Sequence, residues 1–431
     1  MFCGTTYRLL NKFKSIYSIQ FQLVLDNIYY KNMSIQVNSA EQDILKVHQS
    51  NKRQVIGEHN EVATKAQKVE ETEDAVQRVK RKNFVILLGY LGKNYLGMQI
   101  NRGTKTIEES LLTALLEANF ITKPQFEDIR ELRFQRAART DKGVSAVRQI
   151  VSLKLPHDVN KEDINKHLPK DIRVFGIKRV TKGFNSKNQC DARTYRYVLP
   201  TFALAPENPD FLKLGEDEVL DEDIRRQQLS TINGEPYNAF RLSAKMLDDL
   251  NETLKLLEGT HNFHNFTSRI KPLDPRARRY IIYFRCIETF IANDIEFAVL
   301  EIKGQSFMLH QIRKMVTIAI GISRKILTND ILKEAFSVEK ICVPVAPGLG
   351  LSLHFVHYKY YDQRYGKDGI HETLDWNEYD EEIEKFYREY ILKSIIDTEI
   401  TENVMLNWLA SFLTPKKFAV KDIPATVEYI L

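Results

Sequence analysis

Cysteine is scarce, with four in 431 residues: Cys3, Cys190, Cys286 and Cys342. No two form a C-x-x-C pair and no run of His and Cys has zinc-finger spacing, so neither a dithiol redox centre nor a structural zinc module is expected. Reduced thiols packed in an intracellular protein fit this usage. Long hydrophobic runs are absent too. No stretch of about 18 apolar residues occurs, which excludes a spanning helix. Charge of one sign is nearly balanced overall, with 62 Lys+Arg against 57 Asp+Glu and a net +5, so the total names no partner. Nucleotide fingerprints fail as well. Gly89, Gly92 and Gly97 do not make G-x-G-x-x-G, and Asn94 after Gly92-Lys93 breaks the P-loop pattern. His261, His264, His310 and Cys190 lack metal-ligand spacing. No metal and no cofactor are expected.

What is present is enough apolar material for a large core, 43% hydrophobic and 10% aromatic, which excludes global disorder. At about 100–200 residues per domain, the length predicts two or three domains. Residues 1–33 carry Arg8, Lys12, Lys14 and Lys31 against Asp26 alone. That fits a mitochondrial leader, or equally an unstructured tail, and Met33 would be a second start. Residues 34–82 read as a polar linker ending in Arg78, Lys80, Arg81 and Lys82. The basic knot suits nuclear import, an RNA-facing tail, or a solvated approach to a domain. Nucleus, mitochondrion or both are the expected locations.

The compact region opens at Phe84-Val85-Ile86-Leu87-Leu88, a buried-strand pattern ending at Gly89. Residues 106–120 have helical spacing, with Thr106 and Glu109 placed as a capping box. Strands are predicted at 132–139, 149–155, 171–180 and 193–200, and a short helix at 160–168. A second block predicts helices at 243–257 and 307–325 and strands at 278–288, 295–303 and 351–355. Strands follow one another without helices between, which predicts α+β with antiparallel sheet. Residues 206–226 hold eight Asp/Glu against three Lys/Arg and read as a surface insertion or interdomain loop. The acidic tail over 371–390 reads as helical with a solvated face. The expected organisation is an N-terminal motif-bearing domain at 83–205, an acidic insertion at 206–240, a second half at 241–360 and a C-terminal acidic helical extension at 361–431.

Charge is segregated within this frame. Eight Lys/Arg face two Asp over residues 170–196, and Arg269, Lys271, Arg276, Arg278 and Arg279 face Asp274. Such patches point to a polyanion surface. Residues 136–146, Arg-Ala-Ala-Arg-Thr-Asp-Lys-Gly-Val-Ser-Ala, alone would be an ordinary turn. An Asp there can also be a nucleophile.

This segment resembles the signature of the TruA-type tRNA pseudouridine synthases, in which the Asp of Arg-Thr-Asp-x-Gly-Val is catalytic. Further segments resemble that family in order and spacing: Gly89 to Gln99, Asp191 to Tyr197, Gly259 to Thr267, Gly304 to Met315 and Pro347 to Leu351. Coverage runs from about residue 83 to 360, and segments at 184–188 and 361–366 resemble the eukaryotic branch. Leu91, Met98 and Ser145 depart from the bacterial pattern and suit that branch.

The resemblance implies two α/β domains whose antiparallel sheets join into one continuous central sheet flanking a basic RNA-binding cleft, the pseudouridine synthase fold. It implies cleavage of the N1–C1′ bond of a uridine, rotation of the base and rejoining through C5, without a cofactor. Asp141 would be the nucleophile or stabilise the cleaved sugar. Arg313 would pair with it and hold its pKa down. Tyr195 would stack on the uracil and assist loss of the C5 proton. Phe307 and Leu349 would be apolar walls of the pocket. Arg139 would enter the space left by the flipped base, and Lys142, Arg193 and Arg196 would meet phosphates. His264 and Phe266 belong either to the RNA face or to the core. The partners implied are tRNA, with its anticodon stem the expected region, and other structured RNA, including mRNA. No membrane partner is expected, and a monomer is expected rather than the dimer of bacterial members. Two other readings compete. One is a non-catalytic tRNA-binding chaperone of the same fold, against which retention of both Asp141 and Arg313 argues. The other is a glycosylase that releases the base.

Overall fold

A computed structural model describes residues 80–412, except 102, 209–210 and 212–220, together with Phe418. The leader at 1–33, Met33, Cys3, nearly all of the linker, the middle of the acidic insertion and the last residues of the C-terminal extension lie outside the described residues.

The first strand, β1 (Arg81–Tyr90), forms on the expected apolar run, and Val85 through Leu88 are fully buried. Its neighbours are β3 (Ser145–Pro156) and β4 (Ile172–Arg179), both antiparallel to it. A strand apolar on both faces needs cover on both. Cover on one side includes helix α1 (Ile107–Glu117), where the Thr106 side chain accepts from the Glu109 amide at 3.3 Å, and α2 (Lys161–His167), capped by Asn160.

The second half contains β5 (Ala192–Pro200), β8 (Gly259–Asn262), β9 (Arg278–Ala292), β10 (Ile295–Gly304) and β11 (Leu351–His357). The strand order is β4-β1-β3-β11-β5-β10-β9-β8, with the two-residue β2 (Gln135–Arg136) beside β3. The small hairpin of β6 (Thr231–Ile232) and β7 (Glu235–Pro236) stands apart. The two halves are joined by one parallel contact, in which Ser352 and Leu353 pair with Ser145 and Ala146. All other ladders of this sheet are antiparallel. The expected α+β class and continuous central sheet are therefore present. Helices α3 (Ala244–Lys255) and α4 (Gln311–Ser323) pack against the second half.

Several expectations are corrected. The strand predicted over 132–139 shrinks to Gln135–Arg136; Ala137 N still donates to Ile150 O at 2.8 Å, and residues 138–140 leave the ladder to form a loop. The helix predicted from 307 begins at Gln311, after His310 adopts a left-handed conformation at φ 63°. The acidic tail, α5 (Asp380–Phe386) and its approach, is only partly solvated. Asp380 pairs with Arg148 at 2.9 Å, Glu382 with Lys161 and Arg173 at 3.2 and 3.5 Å, and Glu378 with Lys178 at 2.6 Å. Lys178 is thus buried and neutralised inside the fold and leaves the expected polyanion surface, whereas Arg173 stays exposed beside Glu382. The start of the segment expected as a surface insertion or interdomain loop is packed into the fold. Glu207 is buried against Arg225 and Arg324. Beyond α5 the chain continues through a π-helical segment, Tyr387–Leu392, into α6 (Lys393–Glu402) and α7 (Val404–Phe412). No helix among the described residues is long and apolar enough to cross a membrane.

Candidate active site

The segment Ala137–Val144 lies at the seam where the two halves of the sheet meet, immediately before the Ser145 and Ala146 contact with β11. Beyond Ala137 it has left the ladder and is held by side chains together with backbone bonds to the opening turn. Gln149 on β3 takes the place of a neighbouring strand: its Nε2 donates to Ala138 O at 2.9 Å and its Oε1 accepts from Ala138 N at 3.3 Å. Tyr90 Oη and Thr140 Oγ1 share a hydrogen bond of 2.7 Å. Val144 N donates to Asp141 O at 3.1 Å, closing a turn whose third residue, Gly143, has φ 78°. A side chain there would be strained, so glycine fits this position. Gly92 meets a different demand. A Cβ at Gly92 would lie 2.2 Å from Val144 O, so its missing side chain lets the opening turn close on this loop.

Asp141 emerges from this turn into a cleft of about 550 Å³. Six Lys or Arg residues line the cleft (Arg136, Arg139, Lys187, Arg193, Arg279 and Arg313), and Asp141 is its one carboxylate among the described residues. Tyr195 and Phe307 form an aromatic wall, edge to face with centroids 5.3 Å apart. Burial raises the Tyr195 hydroxyl above the ordinary tyrosine range, so it is neutral near pH 7.

The expected ion pair between Asp141 and Arg313 is not formed. Arg313 donates Nε to Ala346 O at 2.6 Å, and its guanidinium lies beside Gly348. The ionisable nitrogen nearest Asp141 is His310 Nε2, 4.0 Å from Oδ2; burial lowers this imidazole below the ordinary histidine value, so it is a cation only when protonated. Nor is the carboxyl held down. Burial raises it above the ordinary aspartate value, and the opposing pull of His310 and Arg313 is too small to reverse this.

The other expected residues divide. Arg139 and Lys142 are exposed on the rim, with no ion pair or hydrogen bond to either side chain among the described residues. Arg193 lines the cleft but is occupied with backbone carbonyls: Ala137 O at 3.1 and 2.7 Å and Gln305 O at 2.8 Å. It ties the Asp141 loop to the second half. Arg196 is not brought to the cleft. Strand alternation turns it to the face opposite Tyr195, where Nε donates to Glu301 at 2.9 Å. Leu349 faces a separate small cavity with Tyr197 and Glu399, and Leu351 takes the place expected of it in the cleft. His264 and Phe266 are buried, with Phe266 in an aromatic cluster with Phe263 and Phe336, which resolves their two readings in favour of the core.

The sequence reasoning missed four contributors. His310 and Leu351 sit inside segments already singled out, and their motifs were the available signal. Gln149 had none. Arg136, whose Nη2 donates to the fully buried Glu108 at 2.6 Å, depends on a partner 28 residues away in sequence.

The tRNA pseudouridine synthase family matches residues 254–359. A mouse (Mus musculus) protein named Pseudouridylate synthase 1 homolog is 45% identical over 359 residues, covering 82% of this chain and 79% of its own length. Its human (Homo sapiens) namesake is 47% identical over 332 residues, with 76% and 72% covered. A Kluyveromyces lactis protein named tRNA pseudouridine synthase 1 is 34% identical over 382 residues, with 76% and 69% covered. Identity on this scale extends over most of each chain, including the segments that fold around one basic cleft with a single carboxylate, and the chain belongs to the tRNA pseudouridine synthase family.

Proposed function

We propose that this chain isomerises uridine to pseudouridine in tRNA, with Asp141 as its catalytic carboxylate. The observation that carries the reading is the isolation of Asp141: one carboxylate in a cation-lined, aromatic-walled cleft, with no ion pair locking it in place. A carboxylate free of short partners can attack C1′ or stabilise positive charge there as the N1–C1′ bond breaks. The bond then re-forms from C1′ to C5. C5 loses a proton and N1 gains one, so no oxidant or group donor is consumed.

Tyr195 and Phe307 would form one aromatic wall against the freed uracil and keep water out while it turns. With its hydroxyl neutral, Tyr195 can relay the C5 proton but is not a standing phenolate base. The carboxylate form of Asp141 is the reactive one, and His310 and Arg313 favour it against burial. Arg139 and Lys142, exposed on the rim, would contact RNA: Arg139 to fill the gap of a flipped base and Lys142 to meet phosphate. A target within a stem, the anticodon stem foremost, fits a site that must extract its base. The cleft's lining does not restrict the reading to tRNA, and other structured RNAs, mRNA included, belong to the same proposal.

The test is tritium release from tRNA labelled at uracil C5, with wild type and Asp141→Ala side by side. Release by wild type alone supports the reading. Release by both removes Asp141 from the chemistry. No release by either, with salt-sensitive tRNA binding intact, leaves a tRNA-binding chaperone.

A further inference from the structure

Large apolar side chains are uncommon on a strongly basic surface, yet two stand at the mouth beside Asp141. Leu96 is 47% exposed and Leu309 is 48% exposed. They come from different halves of the sheet. Both line a second, shallower depression of about 350 Å³, which shares Arg139, Asp141 and Arg313 with the main cleft and adds Lys142. Neither sits on a loose loop. The Leu96 turn is bound to the Asp141 loop in both directions: Met98 N donates to Thr140 O at 3.1 Å, and Gly143 N donates to Tyr95 O at 3.3 Å. Across the mouth, Leu309 O accepts from Thr267 Oγ1 at 2.9 Å, just before the left-handed residue His310. Rigid backbone thus presents two hydrophobic side chains to solvent, ringed by cations.

An exposed apolar pair has a solvation cost unless something apolar covers it. The surrounding cations select a polyanion, and the apolar surface a polyanion offers is the face of a nucleobase. Apolar side chains inserted at base steps are a known physical means of holding a helix open.

We propose that Leu96 and Leu309 form an apolar wedge that bears on the bases flanking the extruded uridine and holds the RNA stem open beside Asp141. This rests on the reading of the chain as a tRNA pseudouridine synthase. Arg139 occupies the gap itself, whereas the two leucines brace its edges. The wedge lowers the cost of extrusion and leaves the chemical step alone. Its removal therefore hurts a paired target far more than one that is already unpaired.

The experiment uses the full chain and a tRNA transcript labelled at uracil C5. The uridine that wild type modifies is presented in two contexts, once paired in a stem and once opposite a base that cannot pair with it. The Leu96→Ala/Leu309→Ala double variant should lose about tenfold or more in kcat/KM on the paired target and no more than about threefold on the unpaired one. Leu96→Met/Leu309→Met, which keeps the apolar bulk, should hold most of the paired rate. Thermal melting should not change, since both side chains are half in water. Equal losses on the two targets, or no loss on the paired one, would overturn the wedge. Absence of tritium release by wild type on both targets would sink the parent reading instead, so the two failures are distinguishable.

Discussion

Helix α4 has an arginine near each end, and each lies near a carboxylate, but the two ends are built in opposite ways. At the C-terminal end Arg324 donates to Glu207 through Nη2 at 2.8 Å and Nε at 3.2 Å, and Arg225 donates to the same oxygen. All three side chains are buried. Burial alone would push the Glu207 carboxyl up, and Arg324 and Arg225 more than reverse this, leaving it below the ordinary glutamate value. At the N-terminal end Arg313 binds a backbone carbonyl, Asp141 has no ion pair shorter than the 4.0 Å to His310, and its carboxyl is raised. A carboxylate that closes a structure is saturated with donors. One that must react is left short of them.

The largest effect expected from this contrast is a crossing of phenotypes. Asp141→Ala should show no detectable tritium release while melting like wild type, because no short ion pair is lost with the carboxylate. Glu207→Ala should do the reverse. It strands two guanidiniums in the interior, and removing one partner of a buried ion pair costs about 3–5 kcal/mol. Denaturant unfolding should show that loss, and turnover per folded molecule should persist. Wild-type stability in Glu207→Ala would mean that this end of α4 is not the anchor its geometry describes.

How much of this was legible beforehand depends on the range of the interaction. Thr106 as a cap and the buried run of β1 follow from local periodicity, and both are present. Asp141 was singled out because its segment resembles a family signature; composition alone would have left it a turn. The failures are long-range. Lys178 read as part of a polyanion surface because its partner, Glu378, lies 200 residues further on. Arg196 follows Tyr195 directly, yet the period of two along β5 sends it to the other face, and that alternation was available in the sequence. Gln149 gave no signal at all. Its role exists only because the chain at Ala138 has abandoned its ladder.

A smaller effect sharpens the open end of α4. If Arg313 acts on Asp141 by field alone, its removal should change when the carboxylate ionises. The anionic form of Asp141 is the active one, so activity falls as pH drops through its pKa. Arg313 favours the anion. Arg313→Ala should therefore raise that pKa and move the acid limb of the kcat profile to higher pH. The variant should be impaired more on the acid limb than on the plateau. An acid limb that stayed in place while kcat fell at every pH would assign Arg313 to substrate contact instead.

The smallest expected effect concerns the rim, where cations have neither a carboxylate nor a carbonyl to hold. Arg139 is the clearest case, exposed and adjoining both depressions. A guanidinium that takes the place of an extruded base matters in proportion to what extrusion costs, a few kcal/mol in a stem and less where the base is already unpaired. Arg139→Ala should lower kcat/KM about fivefold on a paired target, which corresponds to about 1 kcal/mol, and by less than about twofold on an unpaired one. The loss should persist in moderate salt, because filling a gap is not a phosphate contact and does not depend on counterion release. If the deficit instead faded as salt rose and was equal on both targets, Arg139 would be one more phosphate contact, and the rim would be a uniform electrostatic surface with no residue aimed at the gap.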